Sequence, residues 1–405
     1  MSMTVTESLS AEEREAILDA VRDFAQTHLA PNALEWDQNR HFPRDVLAIA
    51  GELGLGGIYV REDVGGSGLS RSDAVAIVEE LAVGDPTIAA YITIHNMVAW
   101  MIDRYGTDAQ RRTWLPRLVA MTELGAYCLT EPGAGSDAAA ITTSAIADGD
   151  EYVLTGVKQF ISGAGEAGVY VVMARTDPAT GSGAGSARGI TAFLIPGDAE
   201  GLSFGPHEKK MGWNAQPTRQ VILDRVRVPA SAVLGSLGGG FAIAMSGLNG
   251  GRINIAACSL GGAQWALDRA VRYVHERFTF GEPLADKQAI VFRLADMATE
   301  LHAARALVQG AARALDESTA DGTGPGQASH DADVTVQCAM AKRYATDAGF
   351  TIANEALQLH GGYGYLQDYG IEKVVRDLRV HQILEGTNEI MRVIIGRHVL
   401  GTPGR

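Results

Sequence analysis

The segment AYCLTEPGAGSD, residues 126–137, decides how the rest of the chain is read. Ala126 to Thr130 form a short run with an aromatic and a β-branched residue, and a proline and two glycines follow at once. A run of that kind bounded by turn residues is a strand entering a loop. The periodicity upstream is different. Ser10-Ala11-Glu12-Glu13 is a capping-box pattern, and Ile17, Val21, Phe24 and Ala25 recur after it at helical spacing. Further helical stretches cover about 44–54, 71–83, 86–104 and 108–121, with Ser70/Asp73 and Thr107/Gln110 marking two starts and Gly65 to Gly68 forming a loop. Downstream, YVLTGVKQFIS (152–162), VYVVMAR (169–175), GITAFLIP (189–196) and RQVILDRVRVP (219–229) are strand-like runs, with a flexible loop at 176–189. Several such runs in succession predict an antiparallel sheet or barrel. After GSLGGG, residues 235–240, helical texture returns over about 241–279, 285–316, 332–361 and 387–400, with a polar connection at 317–331.

The order helix, strand, helix predicts an α+β protein with an all-α domain at 1–123, a β-domain at 124–235 and a helical bundle at 236–405. It differs from the alternating pattern of a doubly wound sheet. Gly54-Leu55-Gly56-Gly57 lacks the strand–turn–helix setting of a dinucleotide fingerprint.

With 405 residues the chain can bury a large core, and 46% hydrophobic against 20% charged residues is ordinary for a globular protein. A formal net charge of −14 argues against a nucleic-acid partner, although a local basic pocket for a phosphorylated ligand stays open. Cys128, Cys258 and Cys338 are far apart, so neither a zinc site nor a disulfide framework is expected, and a reducing cytoplasm suits them. His28, His41 and His95 read as packed or surface histidines rather than metal ligands. The acidic start MSMTVTESLSAEEREAILDAV fits neither a secretory signal nor a transit peptide, and no apolar run approaches the ~18 residues of a membrane span.

Five stretches carry possible chemistry, each with a structural alternative. In YCLTEPGAGSDAAA (127–140) the glycine loop serves equally as a cradle for an anion or ring edge, or as a tight interdomain connection. In KQFISGAG (158–165) Phe160 and Ser162 alternate and so face one side, either toward a flat heteroaromatic ligand or with Phe160 in a core. In NGGRINIAACSLGGA (249–263) small residues admit a helix or a thin ligand, with Arg252 as polar anchor or surface residue. In ERFTFGEPLADKQAIVFRLADM (276–297) Arg277 suits a pyrophosphate or a surface salt bridge. In QLHGGYGY (358–365) Gly361 and Gly362 end a helix. Lastly, HQILEGTNEIMRVIIGR (381–397) sets Glu385 between apolar flanks, where lost solvation would make it a stronger base; a surface loop acid is the plain alternative.

Taken together, TEPGAGSD, RFTFGEPL, HGGYGY and ILEGTNEIMR resemble the acyl-CoA dehydrogenase family in order and near-family spacing, over roughly residues 10–400. The resemblance implies an N-terminal helical domain, a middle antiparallel β-barrel domain and a C-terminal four-helix bundle, with FAD between the last two. It also implies a homotetramer, an acyl-CoA substrate and an electron-transfer flavoprotein as acceptor. Glu385 falls on the catalytic base. Some relatives carry that base just before the arginine of the NGGR stretch, where this chain has Gly251. Tyr127, Leu129, Thr130, Ser136, Phe160, Ile161, Ser162, Arg277, Thr279, Phe280, Gln288, Gln358, Gly362, Thr387, Asn388 and Glu389 fall on cofactor contacts, some reaching across a subunit interface. Ser136, Asn249, Gly250, Gly251, Arg252 and Arg397 fall on substrate contacts. NGGRINIAACSLG with VHQILEGTNEIMR is most similar to the members that act on isobutyryl-CoA in valine breakdown, giving methacrylyl-CoA. Phe160 stands where several straight-chain relatives have Trp, and Leu384 where a medium-chain relative has Tyr. Both departures fit a short branched acyl group. The competing readings are another short thioester (2-methylbutyryl-, isovaleryl- or butyryl-CoA), a flavin oxidase or monooxygenase of related architecture, and a non-catalytic acyl-CoA-binding protein.

Overall fold

A computed structural model describes residues 9–177, 187–320 and 332–401. Its first part is helical: α1 (Ala11–Phe24), α2 (Ala33–Asn39), α3 (Arg44–Glu52), α4 (Arg71–Gly84), α5 (Pro86–Tyr105) and α6 (Asp108–Val119). Three of these start on reciprocal side-chain caps, Ser10 with Glu13, Ser70 with Asp73 and Thr107 with Gln110, as the sequence predicts. α2 was not expected. α5 is buried over nearly its whole length, because it is sandwiched among α4, α6, the first strand and a long C-terminal helix.

Eight strands follow: β1 (Gly125–Cys128), β2 (Ser144–Asp148), β3 (Glu151–Ser162), β4 (Val169–Arg175), β5 (Ile190–Pro196), β6 (Leu202–Phe204), β7 (Thr218–Pro229) and β8 (Val233–Leu234). They lie in the order β6-β7-β3-β2-β4-β5-β8, with β1 beside β4. This corrects the expected antiparallel barrel. Among the described residues the hydrogen-bonded path ends at β6 and β8, strands of three and two residues that do not pair with each other, so no closed sheet forms. It is also mixed. The chain leaves β1 and loops away before β2, so β1 runs parallel to β4, with Tyr127 opposite Val171, and β2 touches β4 in the same sense. The long β3–β7 pair carries two register shifts, one of them between Lys158 and Ile161. Of the loop predicted at 176–189, residues 178–186 lie outside the described residues.

The chain then enters α7 (Gly240–Glu276), a two-stranded hairpin of β9 (Phe278–Thr279) and β10 (Glu282–Pro283), α8 (Gln288–Ala320), α9 (Ala332–His360), α10 (Ile371–His381) and α11 (Asn388–Val399). α7 is central. Residues 250–263 are all buried, packed between α9 on one side and α4 and α5 on the other. Gly261 is one reason it can sit there, since a Cβ would collide with the backbone of Glu79 on α4. The predicted connection at 317–331 is helical to residue 320, and 321–331 lie outside the described residues. α10 was not expected either. It matters because a buried polar cluster ties it to the other two parts. Lys373 Nζ donates to Asp85 Oδ1 (2.6 Å) and Asp377 Oδ2 (2.8 Å), Thr87 Oγ1 donates to Asp377 Oδ2 (3.0 Å), and the Trp213 amide from the β-region donates to Asp377 Oδ1 (2.6 Å).

Candidate active site

The loop between α10 and α11 is held at both ends. On its entry side, Ser259 Oγ on α7 donates to the Ile255 carbonyl (2.9 Å) and therefore accepts from His381 Nδ1–H at 2.7 Å, an arrangement open to the neutral ring. Burial favours that form, pushing the imidazole down to about 3. On its exit side, Lys342 Nζ from α9 donates to Gly386 O (2.8 Å) and Asn388 Oδ1 (2.9 Å). The Asn388 amide in turn donates to Asp347 Oδ1 (2.7 Å) and Thr346 Oγ1 (3.0 Å), and Thr387 caps α11 by accepting from the Ile390 amide. Between these anchors Glu385 adopts a left-handed backbone, φ +56°. That conformation costs a non-glycine residue about 1–2 kcal/mol, so the anchors must over-determine it.

The result is a carboxylate laid on α7. A Cβ built on Gly251 would stand 2.9 Å from Glu385 Cδ and overlap a carboxylate oxygen, so Gly251 is the residue that makes room for Glu385. Glu385 Oε2 is shielded from solvent and has no hydrogen-bond partner. Burial raises this carboxyl to about 7, against the pull of the Arg252 and Lys342 cations. Burial likewise lowers Lys342 to about 8 and lowers Arg252. Arg252 Nη1 donates to Asn249 Oδ1 (2.8 Å), Asn249 Nδ2 donates to Thr335 Oγ1 (3.0 Å), and Arg252 Nε has no partner. Across from them, the Tyr127 hydroxyl on β1 is also buried and unpartnered, and burial with the Glu385 charge holds its proton on. A shielded carboxyl poised near neutrality, with a free oxygen, has the properties of a general base.

The sheet side of the site rests on a pair the sequence reading missed. Lys158 Nζ, fully buried, donates to Glu131 Oε1 (2.8 Å) and to the Leu129 carbonyl (3.1 Å). Glu131 also accepts from the Thr142 and Thr143 amides. Burial opposes its charge, yet Lys158 and these donors carry it down to about 2. Both residues stand inside segments that were singled out, and a lysine beginning a strand edge and an acid beginning a glycine loop were the available signals. This clamp, with the Gln159 amide donating to Thr130 O (2.8 Å), joins β1 to β3 and fixes the root of the glycine loop. Gly133, Gly135 and Ser136 are exposed beyond it. On β3, Ile161 is buried and Ser162 half-buried, while Phe160 is 64% exposed and left-handed, φ +60°. The bulge between Lys158 and Ile161 turns the ring outward.

A second cluster forms around the α7–α8 hairpin. Its turn, Phe280 at φ +55° and Gly281 at φ +88°, leaves the Phe280 ring 100% exposed, with the Lys287 ammonium 5.6 Å from its centre. Beside it a cleft of about 610 Å³ is lined by Arg277, Thr279, Gln358, Gly362, Tyr273 and Tyr363, among others. The Arg277 guanidinium stands 5.8 Å from the Tyr363 ring centre. Gln288 is exposed at the head of α8, outside the lining.

Three family models match most of the chain: the acyl-CoA dehydrogenase N-terminal domain over residues 11–122, the middle domain over 126–226 and the C-terminal domain over 238–400. The chain belongs to the acyl-CoA dehydrogenase family. It is 50% identical over 388 residues to isobutyryl-CoA dehydrogenase, mitochondrial, of Dictyostelium discoideum, covering 96% of this chain and 89% of that protein. It superposes on butyryl-CoA dehydrogenase from Megasphaera elsdenii with a TM-score of 0.88 at 38% identity, covering 99% of this chain and 100% of the other. A glutaryl-CoA dehydrogenase from Mycobacterium smegmatis, solved in complex with FADH2, gives a TM-score of 0.87 at 29% identity, covering 99% and 98%.

In this acyl-CoA dehydrogenase the expected residues thus fall into three groups. Gly251, Arg252 and Tyr127 surround the Glu385 carboxylate, with Asn249 bonded to Arg252 and Asn388 to Lys342. Leu129 and Thr130, just after β1, and Phe160, Ile161 and Ser162, at the end of β3, form a second group joined by the Gln159 amide on Thr130 O. Arg277, Thr279, Gln358 and Gly362 share the hairpin cleft. Gly250 backs onto Arg71 rather than the carboxylate, Glu389 is exposed and pairs with Arg392 (3.5 Å), and Arg397 is exposed near the end of α11. Among the described residues no group of three potential ligands could hold a metal ion, the three cysteines are buried and unpaired, and no helix is long and apolar enough to cross a membrane.

Proposed function

We propose that this protein oxidises a short branched acyl-CoA across its α and β carbons, isobutyryl-CoA to methacrylyl-CoA, as an FAD-dependent homotetramer that passes electrons to an electron-transfer flavoprotein. The domain boundaries proposed with it are 1–123, 124–235 and 236–405. The observation that carries the reading is the shielded, unpartnered Glu385 oxygen held against Gly251. A binding module has no use for a buried base.

The residues present fit a flavin. A ring turned outward in a left-handed conformation, as at Phe160, is unfavourable on both counts unless a flat partner covers it. The cleft with Arg277, Thr279, Gln358 and Gly362 offers a guanidinium and small polar groups of the kind that take a pyrophosphate. FAD, when bound, accepts the β-hydrogen as hydride. The chain's own part is to set up the proton transfer. Arg252 and Asn249 orient the thioester, and Glu385 takes the α-proton on Oε2. The Glu385 backbone N–H is the donor offered to the thioester oxygen, where enolate charge grows. Exclusion of water around the carboxylate raises its basicity.

Purified yellow protein mixed with a panel of thioesters tests the substrate. Isobutyryl-CoA is expected to reduce the flavin about tenfold or more faster than its straight-chain isomer butyryl-CoA, the low end of the scale on which a pocket resolves a misplaced carbon. A faster rate with 2-methylbutyryl-, isovaleryl- or butyryl-CoA would reassign it. Arg277→Ala is expected to release FAD while the melting profile of the remaining fold persists. A fully flavinated, tetrameric variant would remove Arg277 from the cofactor site.

A further inference from the structure

We propose that Lys342 is a positioning residue for proton abstraction: it fixes the Glu385–Asn388 turn and keeps the Glu385 carboxylate seated against Gly251 as an anion. This rests on Glu385 being the base. Lys342 lies on α9 with no solvent exposure. Both acceptors of its ammonium, Gly386 O and Asn388 Oδ1, are uncharged and both belong to the catalytic turn. A buried cation held only by neutral acceptors needs a counter-charge nearby, and Glu385 is the acid whose field acts on it most strongly. The groups that face Glu385 from the surrounding elements are Arg252 on α7, Lys342 on α9 and Tyr127 on β1. Arg252 already serves Asn249 and the substrate side. Lys342 differs from it in gripping the backbone immediately after the base.

That grip matters because Glu385 is left-handed. The Gly386 carbonyl, tied to α9, and the His381 side chain four residues upstream, tied to α7, hold the turn on either side of the strained residue. Released at one end, the turn would relax and carry the carboxylate off Gly251. The electrostatic part also suits the reaction. When Glu385 takes a proton its charge is lost, but the substrate gains enolate charge next to it, so the field of Lys342 acts on a negative group before and after the transfer.

Two variants separate the contributions. Lys342→Gln retains a donor for the turn and loses only the cation, and Lys342→Met loses both. The ionisation of Glu385 is read from its protonated carboxyl band in infrared difference spectra against Glu385→Gln, titrated with pH. The rate of flavin reduction by isobutyryl-CoA is measured over the same range. With the cation gone the midpoint is expected to rise by about one pH unit or more, the scale of a full charge acting through a partly buried medium. Reduction at pH 7 is expected to fall about tenfold for Gln and further for Met, recovering toward pH 9 for Gln, while KM stays within about threefold. A protein that merely lost packing would show no shift of the infrared midpoint. Wild-type midpoint and pH profile in folded Lys342→Gln would overturn the proposal; should Lys342→Met not fold, Lys342→Gln decides alone. If no thioester reduces the wild-type flavin while the midpoint still shifts, the functional reading falls and the positioning of Glu385 stands.

Discussion

Glu385→Gln is expected to bind FAD and acyl-CoA normally and to leave the flavin oxidised, with anaerobic reduction by isobutyryl-CoA slowed by about 10⁴-fold, the upper range for loss of a positioned base. The same substitution is expected to stabilise the protein at alkaline pH. Moving the carboxyl from its ordinary value of 4.5 to about 7 means that the folded state prefers it protonated. Its favourable contribution is complete below pH 4.5 and is lost as pH rises through 7. The wild type therefore carries an ionised, shielded carboxylate above pH 7 at a cost of about 3 kcal/mol, and glutamine carries none. The difference in melting temperature between variant and wild type should be smallest below pH 4.5, should grow in favour of the variant between pH 4.5 and 7, and should level off above that. Near-normal flavin bleaching by Glu385→Gln would take the residue out of the catalytic role. A melting difference independent of pH would show that the carboxyl is not held up by burial.

Lys373→Met is expected to be the most damaging single change away from the chemistry. Lys373, Asp85 and Asp377 are almost wholly inaccessible, and they receive a threonine hydroxyl from α5 and a backbone amide from the β-region. Burial raises Asp85, and although burial opposes the ammonium, the two carboxylates raise Lys373 and keep it charged. Removing the cation leaves two acids with one proton donor lost between them. Breaking a buried ion pair in this way costs about 3–5 kcal/mol, a fall of about 4–6 °C in melting temperature for a chain of this size. Adding Asp85→Asn to Lys373→Met should recover part of the loss, because it removes one of the stranded charges. By contrast, Arg227→Ala, which breaks the exposed pairs with Asp148 and Glu151, should leave the melting temperature nearly unchanged. Equal effects from the two sites would refute the assignment of the buried cluster.

What the sequence revealed follows from how local each signal is. The starts of α1, α4 and α6 were legible because a capping box is written within four residues. The order of helical and strand regions was legible from periodicity. Strand partners were not: nothing near Tyr127 says that β1 lies parallel to β4, or that the sheet stays open. Charged residues that turn inward misled in a consistent way. Lys373 and Asp377 at i, i+4 look like a solvent-facing pair, so α10 was passed over, and Lys342 looks like an ordinary surface lysine. Its place on the same stripe as Cys338, Ala345 and Gly349, all buried, was the signal that could have found it. Glu385 was legible for a different reason. Gly251, where some relatives carry the acid, could be read as making 385 the only candidate, and the fold brings those two positions into contact.

That contact has an evolutionary corollary. One pocket admits one acidic group, and it can be furnished either from the turn before α11 or from the turn of α7 that passes beneath it. Supplying it from both would crowd two like charges into a space that already overlaps sterically, and supplying it from neither would empty the reaction of its acceptor. Descent from one arrangement to the other therefore requires paired replacements, with the loser reduced to something small. Whichever segment wins, the spot where hydrogen leaves the substrate stays put.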